Sequence, residues 1–203
     1  MMISAFAHED GDWQFWNTES IEGSLAENWK IKLEEEFRFG DNMRELYYHH
    51  TDGGLTHKLT DYFRLGLNYR QVYEKNNGEW EEENRPHING ILRWEWQDFQ
   101  LEGRNRFEYR IREGKEDVWR YRNKLTLTLP VKWAELGIQP YLANEIFVSF
   151  DELEFNRNRL YVGLKAKLMK YLNADIFYLW QSSKKSEDWI DYNVLGVKLK
   201  VEF

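Results

Sequence analysis

The chain has 203 residues, a formal net charge of −7 at pH 7 and no cysteine. That length fits one domain or a small pair; the acidic balance argues against a nucleic-acid partner, and a disulfide scaffold is excluded. No run approaches 18 apolar residues and mean hydropathy is strongly negative, which excludes a transmembrane helix.

Against that polarity, aromatic residues make up 17% of the chain, with 10 tryptophans. Such a density suits an interface where one end of a ring is dry and the other wet. The opening MMISAFAHEDGDW holds Ala5-Phe6-Ala7, a small-x-small pattern of the kind signal peptidase cuts, without a basic or full apolar region before it. The expectation is a signal-peptide remnant over residues 1–7 and a single domain over 8–203; a chance match at a disordered start competes with it.

Downstream, no helical period persists, and apolar and charged residues alternate with period two. In WKIKLEEEFRF, Trp29, Ile31, Leu33, Phe37 and Phe39 oppose Lys30, Lys32, Glu34, Glu36 and Arg38. In FRLGLNYRQVY, Phe63, Leu65, Leu67, Tyr69 and Tyr73 oppose Arg64, Asn68 and Arg70. FQLEGRNRFEYRIR sets Phe99, Leu101, Phe107, Tyr109 and Ile111 against Glu102, Arg104, Arg106, Glu108, Arg110 and Arg112. WRYRNKLTLTL and RNRLYVGLKAKL repeat the pattern with Arg120, Arg122 and Lys124, and with Arg157, Arg159, Lys165 and Lys167. The last stretch, NVLGVKLKVEF, puts Leu195, Val197, Leu199, Val201 and Phe203 on one face.

A soluble sheet turns its apolar face to a core. A membrane barrel turns it to lipid and keeps the polar face in the lumen. The segments run roughly 11 to 16 residues, longer than the usual 5 to 6 of soluble strands and long enough for a tilted membrane crossing. Aromatics gather near two sets of turns, Trp29, Phe63, Trp94, Trp96, Phe99 and Tyr171 at one, and Tyr73, Trp80, Trp119, Tyr121, Trp180 and Trp189 at the other. The connections alternate between tight turns (SLAEN, LTDY, WQDF, KYLN) and longer charged loops (FGDNMRE, EKNNGEWEEEN, REGKED, FDELEFN, SSKKSEDW), with PVKWAELGIQP as an exception. The expected fold is all-β, a transmembrane antiparallel up-and-down barrel. Eleven segments can be marked: 13–23, 28–39, 45–58, 62–75, 82–96, 98–112, 118–130, 138–150, 156–169, 172–183 and 189–203. Because single-chain bacterial barrels usually close with an even number, 10 or 12 strands are expected, with 12 preferred. Gly53-Gly54 marks the place for a bulge or hidden turn.

The stretches EEEFRFGDN, YYHHTDGGL, NYRQVYEK, EENRPHING, FEYRIREGKEDVWRYRNKL, NEIFVSFDE, NRNRLYVGL and YLWQSSKK resemble an uncharacterised family of small Gram-negative outer-membrane barrels, known only as a domain of unknown function. The resemblance runs from about Asp12 to Phe203 and implies an outer-membrane location without an established activity. Gly196, Leu199, Val201 and the terminal Phe203 resemble in part the C-terminal signal read by the barrel assembly machinery, which prefers an aromatic where Leu199 or Val201 stands.

The expected lumen holds Arg64, Arg70, Arg93, Arg104, Arg106, Arg110, Arg112, Arg120, Arg122, Arg157 and Arg159, against Glu34, Glu36, Glu95, Glu102, Glu108 and Glu145. Arginine–carboxylate pairs can fill a barrel this narrow as a polar core. The excess of arginine alternatively describes a narrow pore that prefers anions. A lipid-modifying enzyme needs a nucleophile–base pair; His50 and Asp52 share a face, but Ser149, Ser182 and Ser183 have no histidine nearby in sequence, so no catalytic residue is assigned. The His49-His50 pair lacks metal-ligand spacing, and no nucleotide, haem or phosphate-loop motif occurs, so neither metal nor cofactor is expected. Expected partners are outer-membrane lipid, lipopolysaccharide and, during biogenesis, the assembly machinery. A soluble ligand-binding barrel is the remaining alternative.

Overall fold

The computed structural model describes residues 10–133, 137–151, 154–185 and 188–203. The expected signal-peptide remnant at residues 1–7 lies outside them.

Eleven strands follow in chain order: β1 (Asp12–Ala26), β2 (Trp29–Gly40), β3 (Glu45–Lys58), β4 (Phe63–Asn76), β5 (Glu79–Trp96), β6 (Phe99–Arg112), β7 (Val118–Thr128), β8 (Gln139–Ser149), β9 (Glu154–Lys167), β10 (Leu172–Lys185) and β11 (Asp188–Glu202). Each pairs antiparallel with the next, and β1 pairs with β11 to close the barrel. The closing pair is parallel, in register from Asp12↔Tyr192 to Glu22↔Glu202. The eleven segments marked in the sequence are these strands. The preference for an even number does not hold, because a parallel seam, slightly weaker per residue than an antiparallel one, can also close the sheet. The start of β1 and the end of β11 consequently lie at opposite ends of the barrel, here called the Gly78 end and the Phe203 end.

The last strand is tied on both sides. Phe203 donates its backbone N–H to Glu22 O at 3.0 Å, and Glu202 donates to Tyr171 O at 2.8 Å. No edge is left in the sheet. Gly53-Gly54 is neither turn nor bulge, since β3 runs through it. Gly54 faces inward, where a Cβ would come within 2.3 Å of the Asn68 amide.

The expected alternation of loop lengths is corrected. Asn77-Gly78 alone joins β4 to β5, and Gln97-Asp98 joins β5 to β6, all four with positive φ, as two-residue type I′ hairpins require. The longest connection, residues 129–138, stands at the Phe203 end. The charged stretches that read as long loops are mostly strand extensions, because alternation continues through their charges.

Apolar side chains face outward. Leu67, Trp94, Val162 and Ile176 are 62, 71, 58 and 61% exposed. Inward residues include Glu108 and Val194, both fully buried. Between the outward aliphatic rows and the Gly78-end aromatics runs a belt of hydrogen-bonded amides. Tyr121 Oη donates to Asn105 (2.6 Å), Asn123 to Asn105 (2.9 Å), Asn144 to Asn158 (2.7 Å) and Tyr178 Oη to Asn193 (2.6 Å).

Candidate functional site

The lumen is filled at mid-height. β6, β7 and β9 each contribute inward charges two residues apart, the spacing that keeps side chains on one face of a strand, and β8 contributes a single one. Glu145 of β8 is the hub. It accepts Arg104 Nη2 and Arg122 Nη2 at 2.7 Å each and Tyr161 Oη at 3.1 Å, with Arg159 Nη1 at 3.6 Å. Glu108 of β6 pairs with Arg120 and accepts Arg122 Nη1 at 3.3 Å. Glu83 of β5 takes two-pronged contacts from both Arg85 (2.7 and 2.8 Å) and Arg110 (2.5 and 2.8 Å). Such forked bonds are the strong form of charge pairing.

Aromatic rings complete this septum. The guanidiniums of Arg122 and Arg159 lie 4.6 and 4.8 Å from the Phe147 ring centre, and those of Arg120 and Arg157 at 5.5 Å each. Arg38 sits between Trp16 (3.8 Å) and Tyr48 (4.1 Å) while donating to Glu36 at 2.7 Å. Desolvated cation–π contacts of this kind are worth about 2 kcal/mol.

The structure brings most of the expected cluster together. Glu34, Glu36, Arg70, Arg104, Arg106, Arg110, Arg120, Arg122, Arg157, Arg159, Glu108 and Glu145 face one another across the lumen. Arg64 stands apart toward the Phe203 end, as does the rim pair of Arg93 and Glu102 at 2.5 Å. Of the expected assembly residues, Gly196 faces inward beneath the Phe177 ring, while Leu199, Val201 and Phe203 belong to the outward row.

Several lumen residues were missed in the sequence. Arg85 lies in EENRPHING, where Pro86 obscures the alternation; Lys124 is legible only as one polar residue of WRYRNKLTLTL, and Lys198 only as one of NVLGVKLKVEF. The external amide belt was missed because each asparagine interrupts its apolar row at a single position.

Glu34, His50 and Asp52 have one ligand atom each within 4.8 Å of one another. Arg70 takes the cation's place there, donating to Asp52 Oδ2 at 2.7 Å and lying 3.4 Å from Glu34 Oε1. The donor set fits a guanidinium already in position. His50 is on β3 and Ser149 on β8, on opposite walls, and Ser183 on β10 accepts from Gln181 at 3.0 Å.

A closed barrel with charges inside and apolar rows outside is an outer-membrane-type β-barrel fold. Residues 13–192 match the family described as Protein of unknown function (DUF2490), and the chain belongs to that family. The crystal structure of the beta domain of the Bordetella autotransporter BrkA is similar, with a TM-score of 0.53 and 14% identity over 83% of this chain and 81% of that one. At that identity the similarity concerns the fold alone. No curated protein matches the chain.

Proposed function

We propose that the protein is an integral barrel of a bacterial outer membrane whose lumen is closed by the ion-paired septum, a structural wall protein without catalytic activity. The observation that carries the reading is the inversion of polarity. Arginines and glutamates are buried inside while leucines, valines and tryptophans stand exposed outside. An exposed apolar surface of that extent suits lipid, not water. Closure is supported by Gln14, His50, Glu108, Glu145, Phe147 and Leu179, all under 2% exposed. Outer-membrane lipid and lipopolysaccharide contact the outward face, and the β11 end serves the assembly machinery.

Planar-bilayer conductance of the refolded protein tests closure. A silent bilayer, with folding established by heat-modifiable gel migration, is expected. Discrete anion-preferring steps would overturn closure and favour a narrow anion pore, a second reading supported by guanidiniums that outnumber the carboxylates they share; Arg106→Glu would then reduce the preference.

A further inference from the structure

Beside the septum lies a cavity of about 90 Å³ lined by eight cationic side chains and three carboxylates, Glu34, Glu36 and Glu145. Five of the eight cations reach a carboxylate: Arg38, Arg70, Arg104, Arg122 and Arg159. For the other three, Arg106, Lys124 and Lys198, no carboxylate among the described residues lies within ion-pair distance. Lys124 Nζ instead rests 3.8 Å from the Tyr161 ring centre, and Lys198 Nζ 4.9 Å from that of Phe177.

Arg106 is the anchor. It is 5% exposed, its Nε donates to Asn89 Oδ1 at 2.7 Å, and its Nη1 is buried without a hydrogen-bond partner. The bond to Asn89 fixes the guanidinium, so the free Nη1 is already oriented. A buried, unpaired charge is costly, and the cost is relieved when an opposite charge arrives with its own hydrogen-bond acceptors.

The cavity has an approach. Toward the Phe203 end it joins a vestibule of about 540 Å³, with which it shares Thr18, Glu34, Arg104 and Lys198. The vestibule adds Lys32, Lys165, Lys167 and Lys200, against Asp175 and Glu202. A cleft lined mostly by one sign of charge concentrates the opposite ion.

The geometry points to a binding site for a phosphoryl oxyanion, with Arg106 of β6, Lys124 of β7 and Lys198 of β11 as its charged donors. β6 and β7 are neighbours and β11 stands across the barrel from them, so the donors approach from two sides and can meet different terminal oxygens of one tetrahedral anion. Guanidinium and ammonium groups are the usual partners of phosphate. The site requires only the folded barrel and stands whether or not the lumen conducts.

The test is calorimetric titration of the refolded barrel in detergent with inorganic phosphate and, separately, with glycerol phosphate. Saturable one-to-one binding is expected, weakened at least tenfold by Arg106→Gln and by Lys198→Gln and unchanged by Arg93→Gln at the rim. Equal affinity for the two probes assigns the ligand to free phosphate in the inner cavity. Tighter glycerol phosphate assigns it to a phosphomonoester reaching into the vestibule. Absence of saturable binding to the folded wild type overturns the inference, as does binding that survives Arg106→Gln unchanged. If Arg106→Gln does not fold, Lys124→Gln takes its place under the same criterion.

Discussion

The barrel carries two cross-strand polar networks, one on each side of its wall. Inside, Glu145, Glu108 and Glu83 each hold two or three cationic groups in a buried septum. Outside, Asn105, Asn158 and Asn193 accept from tyrosines and amides on neighbouring strands. Both networks link β6 to β7 and β8 to β9, and they differ in charge and in the alternative open to each partner. An exterior amide that loses its neighbour can turn to water or a lipid headgroup. An interior arginine that loses its glutamate has nowhere to go. The septum is therefore the expensive network to damage, and the belt only adjusts the seam between strands.

The sharpest way to break this contrast is at the hub. Glu145→Gln leaves Arg104, Arg122 and Arg159 without their shared carboxylate, and is expected to destabilise the barrel by about 3–5 kcal/mol. Urea unfolding in detergent, followed by tryptophan fluorescence, measures it. On the outer wall a charge placed among the exposed aliphatics should cost less. Val162→Arg is expected to lose about 2–4 kcal/mol in a bilayer if the row lies at the membrane midplane, and little in mild detergent, so the same titration in liposomes and in micelles separates lipid contact from packing.

Next comes packing within the lumen. A Cβ on Gly196 would stand 2.0 Å from Phe177 Cζ. Gly196→Ala should therefore cost about 1–3 kcal/mol through overpacking, with Phe177→Leu in the same chain restoring part of it. The smallest effect belongs to the belt. Tyr121→Phe removes one bond to Asn105 and should cost about 0.6 kcal/mol, the average for hydrogen bonds between membrane segments. A loss at Tyr121 as large as that at Glu145 would end the distinction between the networks.

Much of this architecture is legible in the sequence because period two is a geometric property of a strand. Phe99 to Arg112 declares its two faces without any knowledge of its neighbours, and the marked strand ends fall within a few residues of the observed ones. What alternation cannot convey is which inward charges meet. Glu145 is one of two glutamates in NEIFVSFDE, and it becomes a hub only because the register of β6, β7 and β8 brings Arg104, 41 residues away, to its oxygen. The surplus at Arg106 was visible as an excess of arginine, but its location beside Lys124 and Lys198 depends on strand register. Closure by a parallel pair was not legible either, since nothing in Asp12–Ala26 distinguishes a parallel partner from an antiparallel one.

The absence of native cysteine makes the closed lumen directly testable by single thiols. Lys200 lines the vestibule at the Phe203 end, and Glu74 lines the small cavity on the Gly78 side of the septum. Lys200→Cys and Glu74→Cys, reconstituted in one orientation, would be treated with a charged, membrane-impermeant maleimide added to one side at a time. A closed septum predicts that each thiol reacts from one side only, and from opposite sides. Reaction of both thiols from the same side would contradict it and mean that the lumen is open from end to end.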